Sequence, residues 1–149
     1  VTALSAEGSW LIGKLFNEIL AQLAIKGVGG MSLGADPLVS ATTVISWELG
    51  RPLHGLLVRK QAKDHGTAQF VEGLGNFDQG DNVTMLENVV TTGGSLLLAC
   101  NRVRDCGLKI GACCAILDRE EGGREALAKA GYNLLSLFTR KDLLELGRS

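Results

Sequence analysis

The residues best suited to chemistry lie in residues 82–95, which read NVTMLENVVTTGGS. An apolar run ends at Glu87 and Asn88, and a polar turn then precedes a helix-like run. Glycines in such a turn let backbone N–H groups surround an anion, to which a helix N-terminus adds partial positive charge. Hydroxyl side chains donate further hydrogen bonds to phosphate oxygens. The turn consists of Thr91, Thr92, Gly93, Gly94 and Ser95. We predict that it holds the phosphate of a ribose phosphate whose sugar faces Glu87.

A second group of polar residues is basic. Residues 58–66 read VRKQAKDHG, and the charged positions carry a net charge of +2 with histidine neutral. Cations on a loop are suited to clamping a polyanion, although an isolated run of this kind is more typically a solvated basic loop. The candidate ligand-binding residues are Arg59, Lys60, Lys63 and His65.

A third motif, LDREEGGR, occupies residues 117–124 after an apolar run. A guanidinium pairs bidentately with a carboxylate, so Arg119 is a candidate for binding a carboxylated ligand. Taken alone, the motif is more typical of a surface ion pair between Arg119 and Glu120 or Glu121.

Strands that alternate with helices predict a parallel sheet with helices on both faces. In such sheets ligands bind at the carboxyl ends of the strands, where all three motifs fall. Ser5 and Asp36 are predicted helix N-caps, and residues 60–79 a long loop with a short β-arm at 68–72. The pattern predicts strands at 28–31, 53–58, 83–86, 109–117 and 134–138, and helices at 6–24, 37–49, 94–105, 122–130 and 141–146.

The composition predicts one globular domain. The chain has 149 residues, of which 46% are hydrophobic and 21% charged, and its net charge of −1 gives no indication of a nucleic-acid or membrane partner. The four cysteines lack metal-binding spacing, which favours free buried thiols in a reducing compartment. They are Cys100, Cys106, Cys113 and Cys114.

Together the three motifs support a family resemblance. Residues 82–95 resemble the phosphoribosyl pyrophosphate (PRPP) signature of type I phosphoribosyltransferases, and the other two motifs are similar to those of orotate phosphoribosyltransferases. The resemblance covers essentially the whole chain. It implies an α/β, type I phosphoribosyltransferase-like fold with a mostly parallel central sheet flanked by helices, and one core domain at 1–149. It also implies a homodimer in the cytoplasm.

The implied reaction transfers ribose 5-phosphate from PRPP to orotate, giving orotidine 5′-monophosphate and pyrophosphate in UMP synthesis. By resemblance, Glu87 and Asn88 bind the ribose hydroxyls, the turn at 91–95 the 5′-phosphate, and Arg119 orotate. Lys63 would stabilise the leaving pyrophosphate, with His65, Arg59 and Lys60 beside it. Residues 30–36 match the pyrophosphate-side loop by position. Mg²⁺ is expected to be bound mainly through PRPP, without a protein cage.

Two departures from the family pattern leave other functions open. Asn88 stands where the family usually has a second acid, and the chain begins after the N-terminal hood that covers the base. Both departures favour a PRPP-binding regulatory or remnant domain without catalysis. The basic loop and Arg119 favour the enzyme, and a purine phosphoribosyltransferase is a third candidate that LDREEGGR suits less well.

Overall fold

The computed structural model describes residues 2–62 and 69–148, and its centre is one six-stranded sheet. The strands are β1 (Gly27–Met31), β2 (His54–Val58), β3 (Val71–Glu72), β4 (Asn82–Val90), β5 (Lys109–Asp118) and β6 (Leu134–Thr139). They lie in the order β3-β2-β1-β4-β5-β6. All neighbours pair in parallel except β3, which is the edge strand and is antiparallel to β2.

Helices cover both faces of the sheet and bury two apolar clusters. The helices are α1 (Ala6–Leu20), α2 (Asp36–Glu48), α3 (Gly94–Asp105), α4 (Gly123–Lys129) and α5 (Arg140–Leu146), with 3-10 turns at Thr2–Leu4 and Leu74–Asn76. Phe16 of α1 and Leu38 of α2 pack with Val28 and Leu86 on one face, whereas Leu96 of α3 and residues of α4 pack on the other. The short α5 follows β6.

The predicted architecture is confirmed: the sheet is mostly parallel and helices flank it. The N-cap at Ser5 is also confirmed, because its Oγ accepts the Gly8 N–H at 3.1 Å. Cys100, Cys113 and Cys114 are buried free thiols as predicted, whereas Cys106 is only half-buried. No helix among the described residues is long and apolar enough to cross a membrane.

Most element boundaries differ from the prediction by one or two residues, and three further differences concern the N-terminal helices and β4. The first helix ends at Leu20 rather than residue 24, because the apolar Leu23 and Ile25 pack on the core from the turn that follows. Asp36 is the first helical residue rather than the N-cap, which is Ala35. The predicted strand at 83–86 continues to Val90, because β4 pairs with β5 as far as Asp118, the last residue of β5.

Candidate active site

The three motifs meet at the carboxyl ends of the strands, on one side of the sheet. β2 ends at Val58 before the basic stretch, β4 ends at Val90 before the glycine turn, and β5 ends at Asp118 before Arg119. Because these strands are parallel members of one sheet, their carboxyl ends open on the same side. The sequence-based prediction of one shared site therefore agrees with the topology.

The glycine turn provides an open anion-binding surface. Gly93 has φ +84°, a conformation that suits glycine, and it precedes the first residue of α3. No side chain caps α3, so the N–H groups of its first turn remain available to an anion. Thr92, Gly94 and Ser95 are exposed and Thr91 is half-buried. This arrangement suits a phosphate group bound from solvent.

A second glycine holds this turn in place. A Cβ on Gly123, the first residue of α4, would lie 2.6 Å from the Thr91 carbonyl oxygen and 2.4 Å from Val90 Cγ1. In return, a Cβ on Gly93 would lie 3.2 Å from the Gly123 carbonyl oxygen. The turn after β4 and the turn after β5 therefore contact each other through their backbones, with no room for side chains.

An ion pair with a buried carboxylate organises the turn after β5. Asp118 is 1% exposed, its Oδ2 accepts a hydrogen bond from Arg124 Nε at 3.0 Å, and Arg124 Nη2 lies 3.0 Å from the same oxygen. Its Oδ1 accepts the Glu120 N–H at 2.9 Å, and Arg124 also donates to the Leu134 carbonyl. The sequence did not predict this ion pair. The only local sign of it is that Asp118 and Arg124 lie six residues apart within LDREEGGR.

Glu87 lies within β4 rather than after it, and it is half-buried. Burial raises the pKa of its carboxyl group, an effect opposed by the Asn88 N–H, which donates to Oε1 at 2.9 Å, and by the positive charge of Lys60. Lys60 and Glu87, predicted from separate motifs, are therefore brought within electrostatic reach of each other.

Asn88 occupies a different environment. Neighbouring residues of a strand project to opposite faces, and Asn88 lines an apolar groove of about 440 Å³ between α1 and the ends of β4, β5 and β6. Leu11, Leu117 and Phe138 are among its neighbours there. The hydrogen bond between these two residues comes from the Asn88 backbone N–H and not from its side chain. That Glu87 and Asn88 together bind the ribose stays a prediction.

Arg119 lies beside the glycine turn, since its N–H donates to the Val90 carbonyl at 3.0 Å. Its guanidinium pairs with Glu121 at 3.0 Å, one of the two partners that the sequence left open. Both side chains are well exposed, at 51% and 38%. An exposed pair contributes little to stability, so a ligand carboxylate can replace Glu121 at small cost.

The described part of the basic stretch is also paired. Arg59 Nε and Nη2 each lie 3.0 Å from Glu72 Oε1, across the antiparallel pair of β2 and β3. Lys60 is exposed. Lys63 and His65 lie outside the described residues.

The last residues of β1 pack closely against the neighbouring strand, and the loop that follows them is held by hydrogen bonds. A Cβ on Gly30 would lie 2.8 Å from the Leu86 carbonyl oxygen, so only glycine permits this approach. Ser32 donates to Asp36 Oδ2 at 3.0 Å, and the Ser32 N–H donates to the Val58 carbonyl at 2.8 Å. The Ser32 contact joins the end of β1 to the end of β2, and the phosphate-side role of residues 30–36 stays a prediction.

Comparisons with known proteins agree with this geometry. No protein-family model matches the chain. The orotate phosphoribosyltransferase of Thermosynechococcus vestitus is 48% identical over 140 residues, which are 94% of this chain and 73% of the relative. That of Sorangium cellulosum is 42% identical over 144 residues, which are 96% of this chain and 75% of the relative.

Solved structures define the class first. Adenine phosphoribosyltransferase from Thermoanaerobacter pseudethanolicus superposes with a TM-score of 0.71 at 16% identity, over 91% of this chain and 82% of that one. The fold is thus that of type I phosphoribosyltransferases. Orotate phosphoribosyltransferase from Mycobacterium tuberculosis in complex with PRPP gives a TM-score of 0.82 at 33% identity, over 95% and 79% of the two chains. With the identities above, the chain belongs to the orotate phosphoribosyltransferase family.

The Gly93–Gly123 contact can be tested by adding one methyl group. Gly123→Ala forces its Cβ against Val90 and the Thr91 carbonyl, so we expect about 1–3 kcal/mol of destabilisation, typical of overpacking, and weaker binding of ribose 5-phosphate. Chemical denaturation and calorimetry measure the two effects. Gly75→Ala is the control, because a Cβ there meets nothing within 4 Å. Equal behaviour of the two variants would contradict the proposed packing.

The raised pKa of Glu87 predicts a pH-dependent stability difference. Because burial disfavours the ionised carboxyl, the folded state binds a proton more readily than the unfolded state, and folding loses stability as pH rises through that pKa. Glu87→Gln should therefore melt at a higher temperature than the unaltered chain at neutral pH, and the difference should vanish below the ordinary pKa of glutamate. Thermal denaturation from about pH 4 to about pH 8 measures this. A variant less stable at neutral pH would show that Lys60 and Asn88 outweigh burial.

Proposed function

We propose that the chain transfers ribose 5-phosphate from PRPP to orotate, giving orotidine 5′-monophosphate and pyrophosphate in UMP synthesis. The observation that carries this proposal is that three groups meet at the carboxyl ends of the strands. They are the glycine turn before the uncapped helix α3, the half-buried Glu87 and the exposed Arg119. These match the needs of a phosphate, a ribose and a carboxylated base. Family membership supports the same reaction.

Each residue then has a defined task. The turn at 91–95 binds the 5′-phosphate through backbone N–H and hydroxyl groups, and Arg119 pairs with the orotate carboxylate after releasing Glu121. Glu87 accepts hydrogen bonds from the ribose hydroxyls, and its charge stabilises positive charge that develops on the sugar. Lys60 lies near Glu87 and attracts the pyrophosphate, with Arg59 beside it. Lys63 and His65 complete the cationic set in this proposal.

Magnesium is proposed as the ion that accompanies PRPP. Among residues 2–62 and 69–148, no group of three or more histidine, cysteine, aspartate or glutamate side chains is arranged to hold a metal. Mg²⁺ commonly binds through substrate phosphates, water and one or two carboxylates, and Glu87 supplies a carboxylate at the sugar position. The ion would neutralise charge on the pyrophosphate oxygens. A homodimer in the cytoplasm completes the proposal.

A second candidate function is PRPP binding without turnover. Asn88 supports it, since this neutral side chain brings no charge to a cationic sugar and lines an apolar groove. Its amide can still hydrogen-bond a hydroxyl, so the loss affects the transition state more than the bound substrate.

The two candidates separate in an assay of PRPP-dependent loss of orotate absorbance with Mg²⁺. One preorganised charge contributes about 2–4 kcal/mol to a transition state, so Asn88→Asp should raise kcat roughly 30- to 1,000-fold over that of the unaltered chain. Asn133→Asp adds the same charge just before the first residue of β6, at the amino end of that strand, and should leave kcat unchanged.

The outcomes of this assay are distinct. Turnover by the unaltered chain supports the enzyme, and turnover by the Asn88→Asp variant alone identifies Asn88 as an inactivating residue. PRPP binding without turnover by either chain favours the binding domain. If calorimetry detects no PRPP binding, both candidates are wrong.

The role of Arg119 makes a separate prediction. A hydrogen bond to a charged group contributes about 1.5–3 kcal/mol, so Arg119→Ala should raise the orotate KM or Kd roughly 10- to 150-fold. PRPP affinity and stability should change little, because the Arg119–Glu121 pair is exposed. Glu121→Gln is the matched control, since it frees the guanidinium and should leave orotate binding unchanged or tighter. Unchanged orotate affinity in Arg119→Ala would contradict the orotate assignment.

A further inference from the structure

One arginine outside the three motifs contacts the basic stretch directly. Arg102 lies on α3, and its Nη1 donates to the carbonyl oxygen of Lys60 at 3.1 Å and to that of Arg59. These two carbonyls belong to the first residues after β2, where the chain leaves the sheet. A single cation on a helix therefore holds both carbonyls at the beginning of the basic stretch.

The same guanidinium also contacts Phe70, the residue just before β3. Its Cζ lies 3.9 Å from the centre of the Phe70 ring, a cation–π geometry. Phe70 packs against the core, and its carbonyl accepts the Arg59 N–H at 2.7 Å. Arg102 thus joins α3 to both of the described ends that flank residues 63–68.

The position of Arg102 on α3 links this contact to the glycine turn. α3 begins at Gly94 within the predicted 5′-phosphate site and carries Arg102 about two turns further along. Lys60, held through its backbone by Arg102, lies near enough to Glu87 for its charge to lower the carboxyl pKa. One helix therefore connects the phosphate turn to the cation that lies near Glu87.

We propose that Arg102 is a positioning residue for PRPP: it fixes Lys60, and with it the cationic side of the site, at a set distance from the 5′-phosphate turn. This inference rests on the proposed function and adds a residue to it. PRPP carries a pyrophosphate at one end and a 5′-phosphate at the other, so both must fit at once. Arg102 sets the pyrophosphate side and does not touch the 5′-phosphate turn.

This division gives a test that a purely structural role would fail. Arg102→Met removes the guanidinium while keeping an unbranched apolar side chain against Phe70. We expect the Kd for PRPP with Mg²⁺, measured by calorimetry, to rise roughly 10-fold, and the Kd for pyrophosphate to rise in parallel, the scale of one hydrogen bond to a charged group. The Kd for ribose 5-phosphate, which lacks the pyrophosphate, should stay unchanged.

Arg104→Met is the matched control. Arg104 lies on the same helix and donates to the Tyr132 hydroxyl at 3.3 Å, away from the basic stretch. The Arg104→Met variant removes the same side chain and the same formal charge from α3, so it controls for the loss of one positive charge from this helix. The control should bind PRPP and ribose 5-phosphate like the unaltered chain.

Trypsin provides a second readout that needs no ligand. Loss of the Arg102 contacts should release the backbone at Arg59 and Lys60, so cleavage after these residues should be faster in Arg102→Met than in Arg104→Met. Mass spectrometry of the first fragments identifies the cleaved bonds.

Four results would overturn the proposal. These are unchanged PRPP affinity in Arg102→Met, an equal loss of affinity for PRPP and ribose 5-phosphate, an equal loss in Arg104→Met, or no selective increase in cleavage. A chain that binds PRPP but shows none of the expected selectivity refutes the role of Arg102 alone. A chain that binds no PRPP refutes the proposed function as well.

Discussion

The site depends on the close backbone contact between the carboxyl ends of β4 and β5. Val90 pairs with Asp118, its carbonyl accepts the Arg119 N–H, and the turn beyond β4 lies against Gly123 without space for a methyl group. This contact fixes the separation between the proposed 5′-phosphate turn and the proposed orotate-binding arginine. α3 begins in the same turn and carries Arg102 to the basic stretch, so the position of the cations follows from the same contact.

Burial separates the ion pairs that shape the site from those that a ligand can replace. Asp118 is almost fully buried and accepts the Glu120 N–H and the Arg124 Nε–H, so loss of Arg124 would remove the ion-pair partner of a buried carboxylate and destabilise the turn. The pairs Arg119–Glu121 and Arg59–Glu72 are exposed and contribute little. The fixed pair holds the turn, whereas the exposed arginines can exchange their partners for ligand anions.

Much of the fold followed from local patterns, and the errors have physical causes. The helix at 94–105 agrees residue for residue, because Gly94 and Gly107 bound an unambiguous helical run. The strand at 83–86 was too short, because Glu87 and Asn88 are polar and only pairing with β5 keeps them in the strand. Arg102 was missed because its partners are backbone carbonyls 42 and 43 residues away, which leave no local pattern.

The sequence by itself determined the fold class, the family and the three motifs, because hydrophobic periodicity and glycine-rich turns are properties of neighbouring residues. The tertiary structure decided what these motifs contact. It set Glu87 and Asn88 in different environments, chose Glu121 over Glu120 as the partner of Arg119, and brought Lys60 near Glu87 and its carbonyl to Arg102. Such contacts join residues far apart in the chain, and their distances are fixed only when the strands and helices pack.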